Sequence, residues 1–377
     1  MNPTRCFLLS SVGFLLALGA TMLFSAGMWQ GEARFYEQLH WMACGVLAGL
    51  AAGCVGPRPL ARFHLPWMLY GLSLLLLVLV LVPSLAPEVN GARRWLWGMQ
   101  PSEAAKPALI LALASYCSKR LSGMGDWAQG FIRPGLLSLP AVALTFLEPD
   151  WGTAILLAIV AGVLMAIAGT PWRRLMLAAL AGLVLFLAAL HGDPVRIGRF
   201  LAFLDPERWK DTYAWQPWLG LLSLGRGGWL GVGLGKGLLK FGFVPEQHTD
   251  SILTLVGEET GFAGTSLVVA AFMTFVVCGL VIAWRAPDPF AQLLAAGITF
   301  WIGLQAFINI GVAVSALPNK GIPLPFVSYG GSSLVTSLAC VGLLVGIEAR
   351  TPSRSAREMG ADGSGPRQCA GGSAVCR

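Results

Sequence analysis

The chain has 377 residues, of which 55% are hydrophobic and only 12% charged, against about 25% charged in an ordinary soluble domain. Leu-rich runs of roughly twenty residues recur along it, each long enough to cross about 30 Å of hydrocarbon as a helix, which excludes a soluble globular class. The formal net charge of +7 comes from scattered basic residues rather than one basic domain, which fits loops beside anionic membrane lipid and excludes nucleic-acid binding.

In chain order, MNPTRC is followed by an apolar run from Phe7 to Gly27. The run is longer than a signal-peptide core and is expected to be a retained first helix. Further apolar segments cover 39–56, 66–86, 104–118, 135–148, 152–169, 175–191, 262–284, 292–316 and 326–347. The expected fold is an all-α polytopic membrane protein of about ten transmembrane helices. Its transmembrane domain covers residues 1–350, with a large extracytoplasmic loop at about 192–261, before the eighth helix. The tail, 351–377, is rich in Gly, Ser and Arg and is expected to be a disordered, basic cytoplasmic segment. Six cysteines lie in or beside apolar runs, two lie in the tail, and no CxxC or Cys/His metal spacing occurs.

Short-loop charge sets the expected orientation. With the N-terminus inside, the inner loops hold Arg58, Arg62, Lys119, Arg120, Arg133, Arg173, Arg174 and Arg285, against Arg34, Arg93, Arg94 and Lys320 outside. Both termini are therefore expected in the cytoplasm, and the elaborate polar stretches fall on the outer face.

Five of these stretches carry candidate chemistry. In NGARRWLWGMQPSEAAK, 90–106, Arg93 and Arg94 are adjacent cations, and Glu103 and Lys106 share a helix face after Pro101. Ser102 is available as that helix's cap. Charges entering a membrane helix are costly and usually paired or functional. The stretch reads either as an anion site or as an interfacial loop with Trp95 and Trp97 as belt residues. In EPDWGTA, 148–154, Asp150 is expected to cap the helix from Trp151. GRGGWLGVGLGKG, 225–237, matches no phosphate-loop spacing. It reads as a flexible or closely packed loop with Arg226, Lys236 and Lys240 available for anions. PEQHTDSILTLVGEETG, 245–261, holds Glu246, His248, Asp250, Glu258 and Glu259. Asp250 immediately precedes an apolar run, so it is a candidate proton acceptor, and Thr249 or Asp250 is equally a candidate helix cap. In NIGVAVSALPNKGIPLPFVSYGGSS, 309–333, Asn309 is an amide at membrane depth and Lys320 sits at the tip of a Pro- and Gly-rich loop. Irregular backbone at that depth is tolerated only against protein or a wet cavity.

The motifs ARRWL, QPSEAAK, EPDWGTA, VPEQHTDSILTLVGEETGFAG and the 309–334 stretch, in this order, resemble the SEDS family (shape, elongation, division and sporulation) over nearly the whole chain except the tail. The lysine of PNKG and RFLAFLDPERW at 199–209 are closer to its FtsW branch than to its RodA branch. The resemblance implies a peptidoglycan glycosyltransferase that polymerises lipid II, an undecaprenyl-diphosphate-linked disaccharide-pentapeptide, into glycan at the outer face of the bacterial cytoplasmic membrane. It implies Asp250 as the essential carboxylate, with Glu103 and Lys106 lining the same central cavity. Arg93, Lys320, His248 and Glu246 are the further substrate-binding candidates. It also implies a divalent cation, Mg or Mn, whose site no spacing identifies, and a class B penicillin-binding protein as transpeptidase partner. Ser251 stands where the family usually has Phe. The competing expectations are a lipid II flippase and a scaffold that recruits the transpeptidase.

Overall fold

The structure, a computed structural model, describes residues 2–30, 33–61, 64–88, 92–192, 194–238 and 249–351. Glu246, His248 and the tail beyond 351 lie outside the described residues. Among the described residues the chain is helix and turn, with one isolated bridge pairing Leu96 and Met99. The helices are α1 (Pro3–Gln30), α2 (Ala33–Val55), α3 (Pro57–Ala61), α4 (Leu65–Val80), α5 (Pro101–Ser118), α6 (Arg133–Leu147, entered through a π-turn), α7 (Trp151–Ile167), α8 (Trp172–His191), α9 (Pro194–Leu204), α10 (Trp215–Gly227), α11 (Ile252–Arg285), α12 (Pro289–Ala313) and α13 (Gly331–Ala349).

Each of the ten expected apolar segments falls on a helix. Among the described residues seven helical spans are long and apolar enough to cross a membrane, and α4 and α7 are shorter apolar helices. The chain is a multi-pass membrane protein. α5 and α12 form the centre, with α5 burying nearly every residue from Pro101 to Cys117. Its alanines at 105, 108, 112 and 114 leave no bulk to hold neighbours away. α8 buries none of its residues, since a helix that is Leu- and Ala-rich all round is as well solvated by lipid tails as by protein. α2 and α13 meet through small residues four apart. A Cβ on Gly342 would stand 1.9 Å from the Gly49 carbonyl, and one on Gly49 2.8 Å from that of Leu338. Glycines at this spacing let two backbones touch, and dispersion then holds the pair.

Two expectations need correction. The 192–261 segment is not one loop: it contains α9 and α10, and its last ten residues are the first turns of α11. The helix expected from 262 begins at Ile252 and breaks at Gly261, where φ is 69° and ψ is −165°. The glycine-rich stretch 225–237 explains the break, and it is closely packed rather than loose. The Phe262 and Ala263 amides donate to the carbonyls of Gly228 and Trp229 instead of continuing the helix, while Val232 and Gly233 donate to the freed carbonyls of Glu258 and Glu259. These four bonds replace helical ones lost at the break.

Candidate active site

A cavity of about 610 Å³ opens between the turn before α7, the end of α8, α9, the start of α10, Asp250 two residues before α11, and the loop before α13. This is within the range of roughly 300–1,000 Å³ typical of ligand pockets. Its charged lining is Arg94, Asp150, Arg196, Arg199, Asp250 and Lys320, among aromatic walls that include Trp95, Trp151, Phe186 and Tyr213.

Asp250 is placed by its backbone. Asn309, the membrane-depth amide, donates from Nδ2 to the Asp250 carbonyl at 2.9 Å and to the Ile322 carbonyl at 2.8 Å. One side chain of α12 thereby ties the start of α11 to the loop of Lys320. Gly321 packs directly against the carboxylate: a Cβ there would stand 2.7 Å from Asp250 Oδ2. The N-cap position of α11 belongs to Ser251, which makes no side-chain cap bond, so the alternative of Thr249 or Asp250 as cap residue is not realised. Ser251 instead accepts from Gln216 Nε2 at 3.0 Å, and Gln216 accepts from Asn319 Nδ2 at 3.2 Å. The serine that departs from the family's usual Phe is therefore part of a polar chain along the cavity wall.

The second carboxylate, Asp150, is the expected cap of α7 and accepts from the Thr153 amide at 3.2 Å. It also lines the cavity, and its other oxygen accepts from Gln100 Nε2 at 3.3 Å. Lys320 lies 5.3 Å from the Phe186 ring centroid. Burial and the Arg196 charge lower its ammonium pKa, while Asp150 raises it. Glu148, two residues before Asp150, is buried, and neither carboxyl oxygen has a hydrogen-bond partner among the described residues. Burial, together with the Asp150 charge and against that of Arg94, pushes its carboxyl up to about 8.

Three expected placements are revised. Arg93 is outside the cavity and pairs with the exposed Glu88 at 3.3 Å. Its neighbour Arg94 lines the cavity, bonding the carbonyls of Glu148 at 3.3 Å and Pro149 at 2.6 Å. Neighbours in sequence thus take different sides of the cavity wall. Glu103 and Lys106 do not line this cavity. They form a closed ion pair of 2.7 Å with side chains 3% and 2% exposed, and Lys106 also donates to Gln305 and lies over Trp301. Ser102 is not the cap of α5: Gln100 holds that position, and the buried Ser102 hydroxyl has no hydrogen-bond partner among the described residues.

Glu258 and Glu259 are drawn into the glycine-rich clamp. Glu259 accepts from the Ser25 hydroxyl and from the amides of Gly235 and Gly237, and Glu258 from Arg226 at 2.9 Å and the Leu238 amide. Arg226 is thereby committed to a structural pair. Sequence reasoning passed over Arg196 and Arg199; the signal was two arginines three apart behind Pro194, on one face of a short amphipathic stretch. For the expected divalent cation, no group of three or more His, Cys, Asp or Glu able to hold a metal occurs among the described residues. These residues give it no ligand set.

Comparison with known proteins fits this arrangement. The model of the FtsW/RodA/SpoVE cell cycle proteins matches residues 2–353. The chain is 38% identical over 358 residues to the probable peptidoglycan glycosyltransferase FtsW of Allochromatium vinosum, covering 90% of this chain and 88% of that one. It is 36% identical over 358 residues to the protein of the same name from Aromatoleum aromaticum, covering 90% and 86%. Among solved structures it matches a chain from a study of polymerization and crosslinking by a peptidoglycan synthase complex, with a TM-score of 0.76 and 31% identity over 91% of this chain and 96% of that one. The rod shape determining protein RodA of Thermus thermophilus matches with a TM-score of 0.67 and 30% identity over 92% and 97%. The chain belongs to the FtsW/RodA/SpoVE cell cycle family, the SEDS family of its sequence motifs.

Proposed function

We propose that the chain is a peptidoglycan glycosyltransferase that polymerises lipid II at the outer face of the cytoplasmic membrane. The observation that carries this reading is a carboxylate, Asp250, at the wall of a cavity whose other charged groups are mainly cations. The named activity of the relatives supports it. Orientation follows the loop charges: ten spans, both termini cytoplasmic and the cavity outside.

In the reaction, the 4-hydroxyl of one sugar attacks C1 of another, whose bond to diphosphate breaks. The hydroxyl proton passes to Asp250 and the bonding electron pair leaves with the diphosphate. General-base help suits a weak nucleophile, and fixed cations suit a leaving group that gains charge. Arg94 and Lys320 are placed for the second task. Lys106, neutralised by Glu103, acts through position rather than contact. An α-linked donor giving a β-linked product requires one inverting displacement with no covalent sugar–enzyme intermediate. Glu246 and His248 are supporting residues with no assigned step. A class B penicillin-binding protein is the transpeptidase partner, supported by the likeness to a synthase complex that couples polymerization and crosslinking.

Reconstitution with that partner, lipid II and Mg or Mn tests the reading. Glycan polymer is expected from the wild type and none from Asp250→Asn, a loss of at least ~10²–10⁴-fold for a general base, with folding and partner binding intact. Polymer from Asp250→Asn removes the assignment of the base. Lipid II movement without polymer selects a flippase, and partner recruitment with neither activity selects a scaffold.

A further inference from the structure

α9 has three distinct faces. Gly198 and Ala202 are buried, and Gly198 lies against the Tyr213 ring so closely that a Cβ would come within 2.4 Å of it. This contact fixes the rotation of the helix. Arg196 and Arg199, three residues apart, then face the cavity together with Phe200. Leu201 and Leu204 project outward, 41% and 65% exposed. A short helix with a basic side and an exposed apolar side belongs at a membrane interface, at the depth of lipid headgroups.

The basic side is preorganised. The Arg196 guanidinium lies 3.6 Å from the centroid of the Trp151 ring. That ring is stacked on Phe146 at 4.7 Å and meets Phe186 edge-on at 5.5 Å. Planar stacking holds a guanidinium in one orientation. Among the described residues the cavity lining carries four cations (Arg94, Arg196, Arg199, Lys320) and two carboxylates (Asp150, Asp250). A diphosphate diester, with about one negative charge per phosphate, supplies the complement to the cations.

We propose that Arg196 and Arg199 of α9 position the diphosphate of the lipid-linked sugar, while Leu201 and Leu204 lie beside its polyprenyl chain. The proposal rests on the reading of the cavity as a lipid-linked sugar site and adds the element that reads the link between sugar and lipid. Lys320, on the loop before α13, lines the same cavity, so the diphosphate meets both α9 and that loop.

The test uses the full chain with its transpeptidase partner in phosphatidylcholine nanodiscs. Arg196→Ala and Arg199→Ala are each expected to raise KM for lipid II about tenfold or more, the scale of a lost charge-assisted bond, with a smaller effect on kcat. Affinity for undecaprenyl diphosphate, measured by native mass spectrometry, is expected to fall in parallel. Arg199→Lys keeps the charge without the fork and is expected to recover part of the loss, which a merely misfolded variant would not. Unchanged undecaprenyl diphosphate affinity in both alanine variants overturns the proposal. So does equal competition by phosphatidylglycerol, which would make this a general headgroup site. Wild-type protein that binds undecaprenyl diphosphate through these arginines and forms no polymer would sink the catalytic reading alone.

Discussion

Two charged clusters lie within a few turns of each other in this chain and solve opposite problems. Glu103 and Lys106 neutralise one another at 2.7 Å, nearly sealed from solvent. The cavity outside them gathers, among the described residues, four cations and two carboxylates along one lining. A closed pair has little left to offer a ligand, since its field is spent internally and its desolvation already incurred. An open, cation-rich wall keeps its field for whatever enters. The pair anchors α5 against α12; the cavity is where charge can change hands.

The contrast can be broken from either side. Removing half of the closed pair is the most damaging, because it strands a buried charge. Glu103→Gln or Lys106→Met is expected to cost ~3–5 kcal/mol, and the double replacement far less. Thermal unfolding of the purified variants reads this directly. Singles that melt with the wild type would mean the pair is solvated and available to substrate after all.

The glycine clamp lies between these extremes, closed but built from backbone. Glu259→Gln weakens charge-assisted bonds from Gly235, Gly237 and Ser25 and is expected to cost ~1–3 kcal/mol. Its signature is faster amide exchange across 228–237, with the remainder of α11 little changed. Uniform exchange along the chain would show that the stretch is not a clamp.

A pH-dependent effect sharpens the open side. Glu148, in the turn between α6 and α7, has its carboxyl raised to about 8, above its unfolded value, so the folded state holds the proton more tightly. That contribution is fully present below the unfolded pKa and is lost as pH rises through the folded one. Stability is expected to decline between about pH 4.5 and 8 by no more than ~1.4 kcal/mol per pH unit, and Glu148→Gln to flatten the slope. A slope of the opposite sign would place an ionised Glu148 against Arg94.

Much of the fold was legible because spanning a membrane is a local property. A run of apolar residues is long enough or it is not, and each of the ten expected segments lies on a helix. The exceptions are equally local in cause. The eighth segment was started late because Glu258, Glu259 and the glycines look like loop, and the sequence does not show that a glycine-rich stretch elsewhere supplies their partners. The choice between Arg93 and Arg94 failed because adjacency in sequence does not show which neighbour meets Glu88 and which meets the carbonyls of Glu148 and Pro149.

The sequence by itself determined the membrane class, the chemical types brought to the outer loops and the candidacy of Asp250, since composition, apolar length and motif order need no knowledge of distant partners. Only the tertiary structure decided which charges close into a buried pair and which line the cavity. Lys106 is closed off with help from Gln305, 199 positions away, and Asp250 is held in place by Asn309, 59 positions away. Whether a charge is available depends on what is packed beside it, and the field of a neighbour is set by distance in space rather than along the chain.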